Sequence, residues 1–441
     1  MLILVFSVFS VLLYASFAYD LVREDFVKLI TLYGALFFFY IKLIQTNPNR
    51  FQFLFVLSVL FRLVFLLAEP NLSQDYYRFI WDGRMLAEGL NPFTSLPQTF
   101  AETGAFPIYQ GRELYEGMGV LNGSHYTVYP PLNQFVFWLA AWCSPKSIWG
   151  AVVVMRLCLV LFDLGIIWVG AYLLKKWQMP ATKIFWYALN PFVVIELTGN
   201  LHFEGMMVFF LLCALVFAHQ KNWLGSAVFL ALSALTKMIT LLFLPIFIKY
   251  WGWKKALLFY GVSLFVFFGF YLPFYTEGFI GFHLKSLRLY FSNFEFNASL
   301  FNIVKWIGYE VKGYNIIRSV GKYSPYVVIL MVLLIAFFRK NQRFDTLVKS
   351  LILSITLYYF LATTVHPWYL ALPLLLSVFT RFTYILVWTL VVMLSYFTYT
   401  QPDFIENPFV LLVEYAIVYF LFFKDWRKPH SASLTDASKI L

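Results

Sequence analysis

The sequence predicts an all-α, polytopic integral-membrane protein of about 14 membrane segments, some of them broken or short. Three observations lead there. The 441 residues are 61% apolar and only 12% charged, whereas soluble domains run near half apolar and about a quarter charged. A mean hydropathy of +0.74 over so long a chain requires several spans, not one anchor. Apolar runs of span length also recur from one end of the chain to the other. A water-soluble enzyme and a disordered chain are both excluded.

A span needs about 20 apolar residues to cover about 30 Å of hydrocarbon at about 1.5 Å per residue. Residues 2–19, 29–45 and 51–68 form the first group. The run 2–19 lacks a basic leader and a small-residue cleavage site, so it reads as an uncleaved first span. Further spans fall at 148–174, 256–276, 325–338, 347–365, 382–400 and 409–423, with shorter apolar runs at 184–198, 205–218, 224–236, 239–250 and 368–380.

Charge orients these segments, because cytoplasmic loops collect Lys and Arg. The clusters Lys175/Lys176/Lys183, Lys249/Lys254/Lys255, Arg339/Lys340/Arg343 and Lys424/Arg427/Lys428 face the cytoplasm. The loop 69–131 carries seven acids against three bases and belongs on the other side, as does 401–408 with Asp403 and Glu406. This bias accounts for the net charge of +11 without invoking nucleic acid. Cys143, Cys158 and Cys213 lie in apolar stretches, with no metal or disulfide spacing.

With Lys183, Lys221 and Lys249 cytoplasmic, residues 184–220 and 222–248 each form a hairpin. The tip of the second, Thr236-Lys237-Met238, joins two short arms. A lysine there has to line a protein cavity, since lipid would tolerate neither the charge nor the unpaired backbone. The first hairpin turns at Asn200–Glu204. Residues 132–144 are apolar but short, and read as an interfacial helix. Both termini are then cytoplasmic. No internal repeat or linker divides the chain, so a single membrane domain is expected: two leading spans in 1–50, a module over 51–276 containing the loop 69–131, an outer loop 277–324, C-terminal spans in 325–423 and a cytoplasmic tail 424–441. The loop 277–324 is basic although it lies outside, a misfit that invites a functional reason.

The stretch SQDYYRFIWDGRMLAEGLNPF (73–93) directly follows the third span. As a helix it puts Asp75, Arg78 and Asp82 on one face, with Tyr77, Ile80, Trp81 and Leu86 supplying apolar surface. YTVYPPL follows at 126–132, then NPFVVIEL and GNLHFEG (190–205), ALTKMITLLFLP (234–245), FEFNAS (294–299) and HPWYLALP (366–373). In order and position these motifs resemble the polyprenyl-phosphate-sugar-dependent glycosyltransferases of the GT-C fold, most of all their mannosyltransferase-type members. The resemblance covers roughly residues 51–380. It implies a conserved seven-span module with a variable C-terminal part, to which the two leading spans are additional. It also implies transfer of a sugar, with mannose foremost, from a polyprenyl-phosphate donor to a glycan, lipid or protein acceptor on the extracytoplasmic side.

That chemistry needs a base for the acceptor hydroxyl and cations for the phosphate charge that grows in the transition state. Asp75 occupies the family's acidic motif position and is the candidate base. A single displacement with one base inverts the anomeric centre. Lys237 and Arg288 are the candidate phosphate ligands, with Arg78 a further one; Arg288 would explain the basic outer loop. Asp82, Arg84, Trp81, Tyr129, His202, Glu204 and His366 are candidate sugar or acceptor contacts. Plainer roles stay open for several: a snorkelling Lys237, a structural His366 at a helix break, ordinary interfacial aromatics at Trp81 and Tyr129. His202 and Glu204 fall short of a zinc or oxygen-rich metal site unless Asp75 joins them, so the expected cofactor is none, with a divalent metal the alternative. Within the spans, Arg156 and Asp163 are expected to pair, and Arg62 to reach the outer cavity. The sequons at Asn71, Asn122 and Asn297 all fall on the outer side. A transporter or flippase of lipid-linked sugars, and a glycan polymerase, are the competing readings.

Overall fold

The computed structural model describes residues 2–292, 294–401 and 404–427. Asp403 and the tail from Lys428 onward, assigned to opposite sides above, lie outside the described residues. The first part of the chain forms α1 (Leu2–Tyr19), α2 (Phe26–Thr46), α3 (Phe51–Val64), α4 (Asp75–Ala87), α5 (Pro97–Thr103), α6 (Gly111–Gly123), α7 (Pro131–Cys143) and α8 (Ile148–Lys176). The remainder is also helical, and among the described residues the only extended pairing is an isolated bridge between Phe296 and Thr364.

Among the described residues six helices are long and apolar enough to cross a bilayer: α1, α2, α8, Trp253–Phe274, Ile317–Phe338 and Phe344–Leu361. A seventh crossing arises if Val193–Gly199 and Glu204–His219, bent by 109° to one another, are taken as one broken span. The protein is therefore a multi-pass helical membrane protein. Shorter apolar helices, among them α3, Trp223–Ala234, Met238–Trp251, Pro367–Ser377 and Tyr384–Thr400, fill the other positions where the sequence suggests segments.

The breaks have local causes. Between Val193–Gly199, a π-helical turn, and the helix Glu204–His219 lies the polar sequence Asn200-Leu201-His202-Phe203, with Leu201 at positive φ. Trp223–Ala234 stops before Lys237, whose extended backbone (φ −145°, ψ 120°) leads into the 3-10 run Met238–Phe247. Pro245 inside that run lacks the N–H an α-helix would need.

Buried charge pairs differently from expectation. Asp163 Oδ2 accepts from Arg62 Nε at 2.7 Å, and both side chains are essentially sealed from solvent. Arg156 instead donates to four backbone carbonyls, those of Leu66, Ala68, Thr198 and Gly199. Seven residues of helix separate Arg156 from Asp163 by about 10 Å of rise, too far for a direct pair even on one face. Arg62 is thus locked inside the bundle and does not reach an outer cavity. Arg156 ties the frayed end of α3 to the end of the π-helical turn. Asn200 adds a second tie, its Oδ1 accepting from Leu72 N at 2.8 Å.

The amphipathic helix α4 lies against α6 and α7. Its closest approach is at Gly83, where a Cβ would stand 2.1 Å from the Phe137 carbonyl oxygen; only glycine fits. Its interior charges are buried as a pair, Arg78 Nε to Asp82 Oδ1 at 2.8 Å. Its first turn, at Asp75, is the part that lines the cleft described below.

Candidate active site

Segments far apart in sequence close around one cleft of about 610 Å³. Asp75, Asn122, Tyr129, Lys237, His366 and Trp368 line it, together with Arg23, Tyr369 and Tyr399. Asp75 opens α4, the end of a helix where a carboxylate is favoured. Its backbone N–H donates to Ser73 Oγ at 3.2 Å. Asn122 Nδ2 and Tyr129 Oη each donate to its carboxylate at 3.4 Å, long for such bonds. Its side chain is half-buried, and this desolvation raises its pKa above the usual carboxylate value, while Lys237, Asn122, Tyr129 and Arg23 pull the other way. His125, at the neighbouring corner, is pushed down to about 4 by burial and by the Arg78 guanidinium.

Lys237 is positioned from the preceding side of its helix break. Asn133 Nδ2 donates to the Thr236 carbonyl at 2.8 Å, and Leu132 N to the Leu235 carbonyl at 3.2 Å, so the start of α7 pins the residues before it. Its ammonium stands 3.0 Å from Glu204 Oε1 and 5.5 Å from the Tyr129 ring centroid. Glu204 is buried while Lys237 keeps 28% side-chain exposure. Lys237 also borders a second, smaller cavity of about 140 Å³ lined by Glu204, Met207, Tyr358, Tyr359 and Tyr369.

A column of rings forms another wall. His202 stacks on Trp368 at 3.7 Å between centroids, Trp368 on His366 at 4.4 Å, and His366 on Phe296 at 4.9 Å. The Phe296–Thr364 bridge holds the column's outer end: Phe296 N donates to Thr363 O and Val365 N to Phe296 O. At the inner end His202 Nε2 lies 3.7 Å from Glu196 Oε2, and Glu196 accepts from Tyr396 Oη at 2.7 Å. Stacked in this way the rings cover one another's faces and present their edges to the cleft.

Of the residues singled out in the sequence, Asp75, Lys237, Tyr129 and His366 therefore share the cleft, with Glu204 and His202 directly behind it. Five others do not line it. Arg78 and Asp82 form the buried pair, Arg78 also donating to the Asn122 and His125 carbonyls. Arg84 donates to Tyr109 O and Gln110 Oε1, and Trp81 packs among Phe100 and Phe106. Arg288 is exposed on the helix Phe279–Ser292, one residue beyond Leu287, which does line the cleft.

Sequence reasoning passed over Arg23, Trp368, Tyr369, Tyr399 and Glu196. Trp368 lay within the quoted HPWY motif, whereas Arg23 sits in a short charged loop of a kind usually solvated. The sequons also change meaning. Asn297 is fully buried, its Nδ2 donating to Glu414 Oε1 at 3.1 Å and its N–H to Glu406. Asn71 Nδ2 donates to the Phe17 and Leu21 carbonyls, and the Asn122 amide serves Asp75. Among the described residues, no group of three or more His, Cys, Asp or Glu side chains could hold a metal ion.

The fold is a multi-pass helical bundle whose cleft brings a carboxylate and a lysine together between aromatic walls. Residues 26–253, just over half of the chain, match the family described as alpha-(1->6)-mannopyranosyltransferase, N-terminal domain, and the chain belongs to that family. Alpha-(1->6)-mannopyranosyltransferase A of Corynebacterium glutamicum is 23% identical over 187 residues, 40% of this chain and 34% of that protein. The aligned region thus spans about a third of that relative's length. These likenesses bear out the GT-C mannosyltransferase-like resemblance.

Proposed function

We propose that the protein transfers mannose from a polyprenyl-phosphate donor to a glycan, lipid or protein acceptor at the extracytoplasmic surface, with inversion at the anomeric carbon. The observation that carries the reading is that Asp75 and Lys237 line the same cleft. The acceptor hydroxyl attacks C1 of the sugar from the face opposite the phosphate, and its proton passes to the Asp75 carboxylate. The C1–O bond breaks with its electron pair going to the phosphate oxygen, so negative charge grows there. Lys237 meets that charge, and Glu204 fixes the direction of its ammonium. Burial makes Asp75 a stronger base than an exposed carboxylate, which favours its taking a proton from a hydroxyl.

The edges of Trp368 and His366, with Tyr129, supply sugar contacts, and the stack with His202 and Phe296 fixes the planes of both rings. Arg288 belongs to the approach of the lipid headgroup rather than to the cleft floor. Arg78, Asp82, Arg84 and Trp81 hold α4 and the turn at 122–125 so that Asp75 keeps its place. The basic clusters support a cytoplasmic position for both termini and the opposite end of the bundle, with the shorter segments counted toward about 14 membrane segments.

The test uses purified protein with polyprenyl-phosphate mannose, polyprenyl-phosphate glucose and GDP-mannose. Release of polyprenyl phosphate from the mannosyl lipid alone, with an inverted linkage in the product, is the expected result. Turnover of the nucleotide sugar in place of the lipid-linked one overturns the donor assignment.

A further inference from the structure

The charges around the cleft do not balance for an anionic donor if Lys237 is its sole cation. Lys237 is already matched by Glu204 at 3.0 Å, and Asp75 adds a second carboxylate on the cleft wall. Those three groups leave a net negative site, which repels a phosphodiester and repels the departing phosphate more strongly. Arg23 alters that sum. It is carried by the loop between α1 and α2, just ahead of the family-matched span 26–253, yet it lines the same cleft.

The Arg23 guanidinium is held without being used up. It lies 4.2 Å from the centroid of the Tyr399 ring, which fixes its plane. Nη1 reaches the Leu72 carbonyl only at 3.4 Å. Nε is buried without a hydrogen-bond partner, with Glu24 Oε1 3.8 Å away. Glu24 is more than half exposed, so solvent screens much of its pull. A guanidinium offers five donors in a planar fork suited to phosphate, and most of these are not accounted for by Tyr399 and Leu72.

We propose that Arg23 is a second phosphate-binding residue of the donor site, supplied by the N-terminal hairpin, gripping the phosphate that Lys237 also contacts. The inference rests on the polyprenyl-phosphate reading above. It makes α1 and α2 a working part of the active site and not an appendage to it.

The test compares the wild type with Arg23→Gln and Arg23→Lys, all of full length in detergent. It measures kcat and KM for polyprenyl-phosphate mannose and the inhibition constant of polyprenyl monophosphate. Arg23→Gln is expected to raise both KM and the inhibition constant about tenfold, the scale of one charge-assisted hydrogen bond. Its kcat changes less than KM. Arg23→Lys, which keeps the charge but loses the fork, is expected to weaken both about threefold; it serves alone if the glutamine variant does not fold. Unchanged KM and inhibition constant, or a fall in kcat alone, overturns the inference and leaves a structural role for Arg23. A wild type that neither turns over the mannosyl lipid nor binds polyprenyl phosphate overturns the donor reading and the Arg23 site together.

Discussion

Replacing Asp75 with asparagine removes the proposed base at nearly constant shape. Two contacts bear on the ground state, from Asn122 and Tyr129, both at 3.4 Å. Bonds that long contribute at the low end of about 0.5–1.5 kcal/mol each, and the amide oxygen can still accept one of them. The amide also carries no charge to desolvate, which offsets the rest. The net effect on folding should therefore stay within about 1 kcal/mol. The chemical step loses far more, since a positioned base contributes about 10²–10⁴ in rate, or roughly 3–5 kcal/mol of barrier. The assay is single-turnover transfer from polyprenyl-phosphate mannose, with polyprenyl phosphate affinity and the thermal midpoint measured on the same preparation. The expected outcome is a fall in the transfer rate constant of about a thousandfold, with the thermal midpoint nearly unchanged and polyprenyl phosphate bound at least as tightly, because one of the carboxylates that repel it is gone. Turnover within about fivefold of wild type would refute the base assignment, because orientation alone could not then be limiting.

Four further outcomes can be checked. Lys237→Met should raise KM for the lipid donor at least about tenfold, measured with polyprenyl phosphate binding, because its ammonium faces the cleft directly. The raised pKa of Asp75 places the acid limb of kcat/KM above the ordinary carboxylate range: activity falls as pH drops through that pKa, and Lys237→Met should move the limb higher by removing a cation that favours the ionised form. The linked stability runs the other way, since a carboxyl whose pKa is raised on folding adds stability at low pH that is lost as pH rises through the folded value. Gly83→Ala forces a Cβ to within 2.1 Å of a backbone oxygen that cannot yield, so α4 and α7 must separate at about 1–3 kcal/mol or more; a normal melting curve and elution profile would count against the close packing. Asp163→Asn leaves Arg62 buried without its charge partner, at about 3–5 kcal/mol, and should lower the thermal midpoint, whereas an unchanged midpoint means the pair carries little of the fold.

Much of this organisation could be read from the sequence because hydropathy and charge act locally. The broken helix at Lys237 was legible because two short apolar arms flank a lysine, which no lipid-facing tip tolerates. Asp75 was legible because it follows a span and opens an amphipathic helix. The fate of Arg78 and Asp82 was not, since a shared helical face says nothing about whether that face meets a cavity or a partner helix. Gly83 alone hints that α4 is pressed against another backbone. The pairing of Arg62 with Asp163 joins residues 101 positions apart, and no local pattern selects that partner over Arg156. Arg23 was equally out of reach, because its place in the cleft depends on how the first hairpin docks. The ring column joins 202, 296, 366 and 368 and exists only once three breaks have been brought together.

The tie between Asn200 Oδ1 and Leu72 N has a consequence for how this chain can vary. Leu72 is fixed to the π-helical turn, and Asp75 begins α4 three positions later, so Ser73 and Gln74 form a leash of fixed length. Each residue of an α-helix turns the chain by about 100°. Adding one residue to the leash would shift the helical register at Asp75 and swing the carboxylate about a quarter-turn away from Lys237 while leaving every side chain intact. At this point the number of residues is under tighter constraint than their identity.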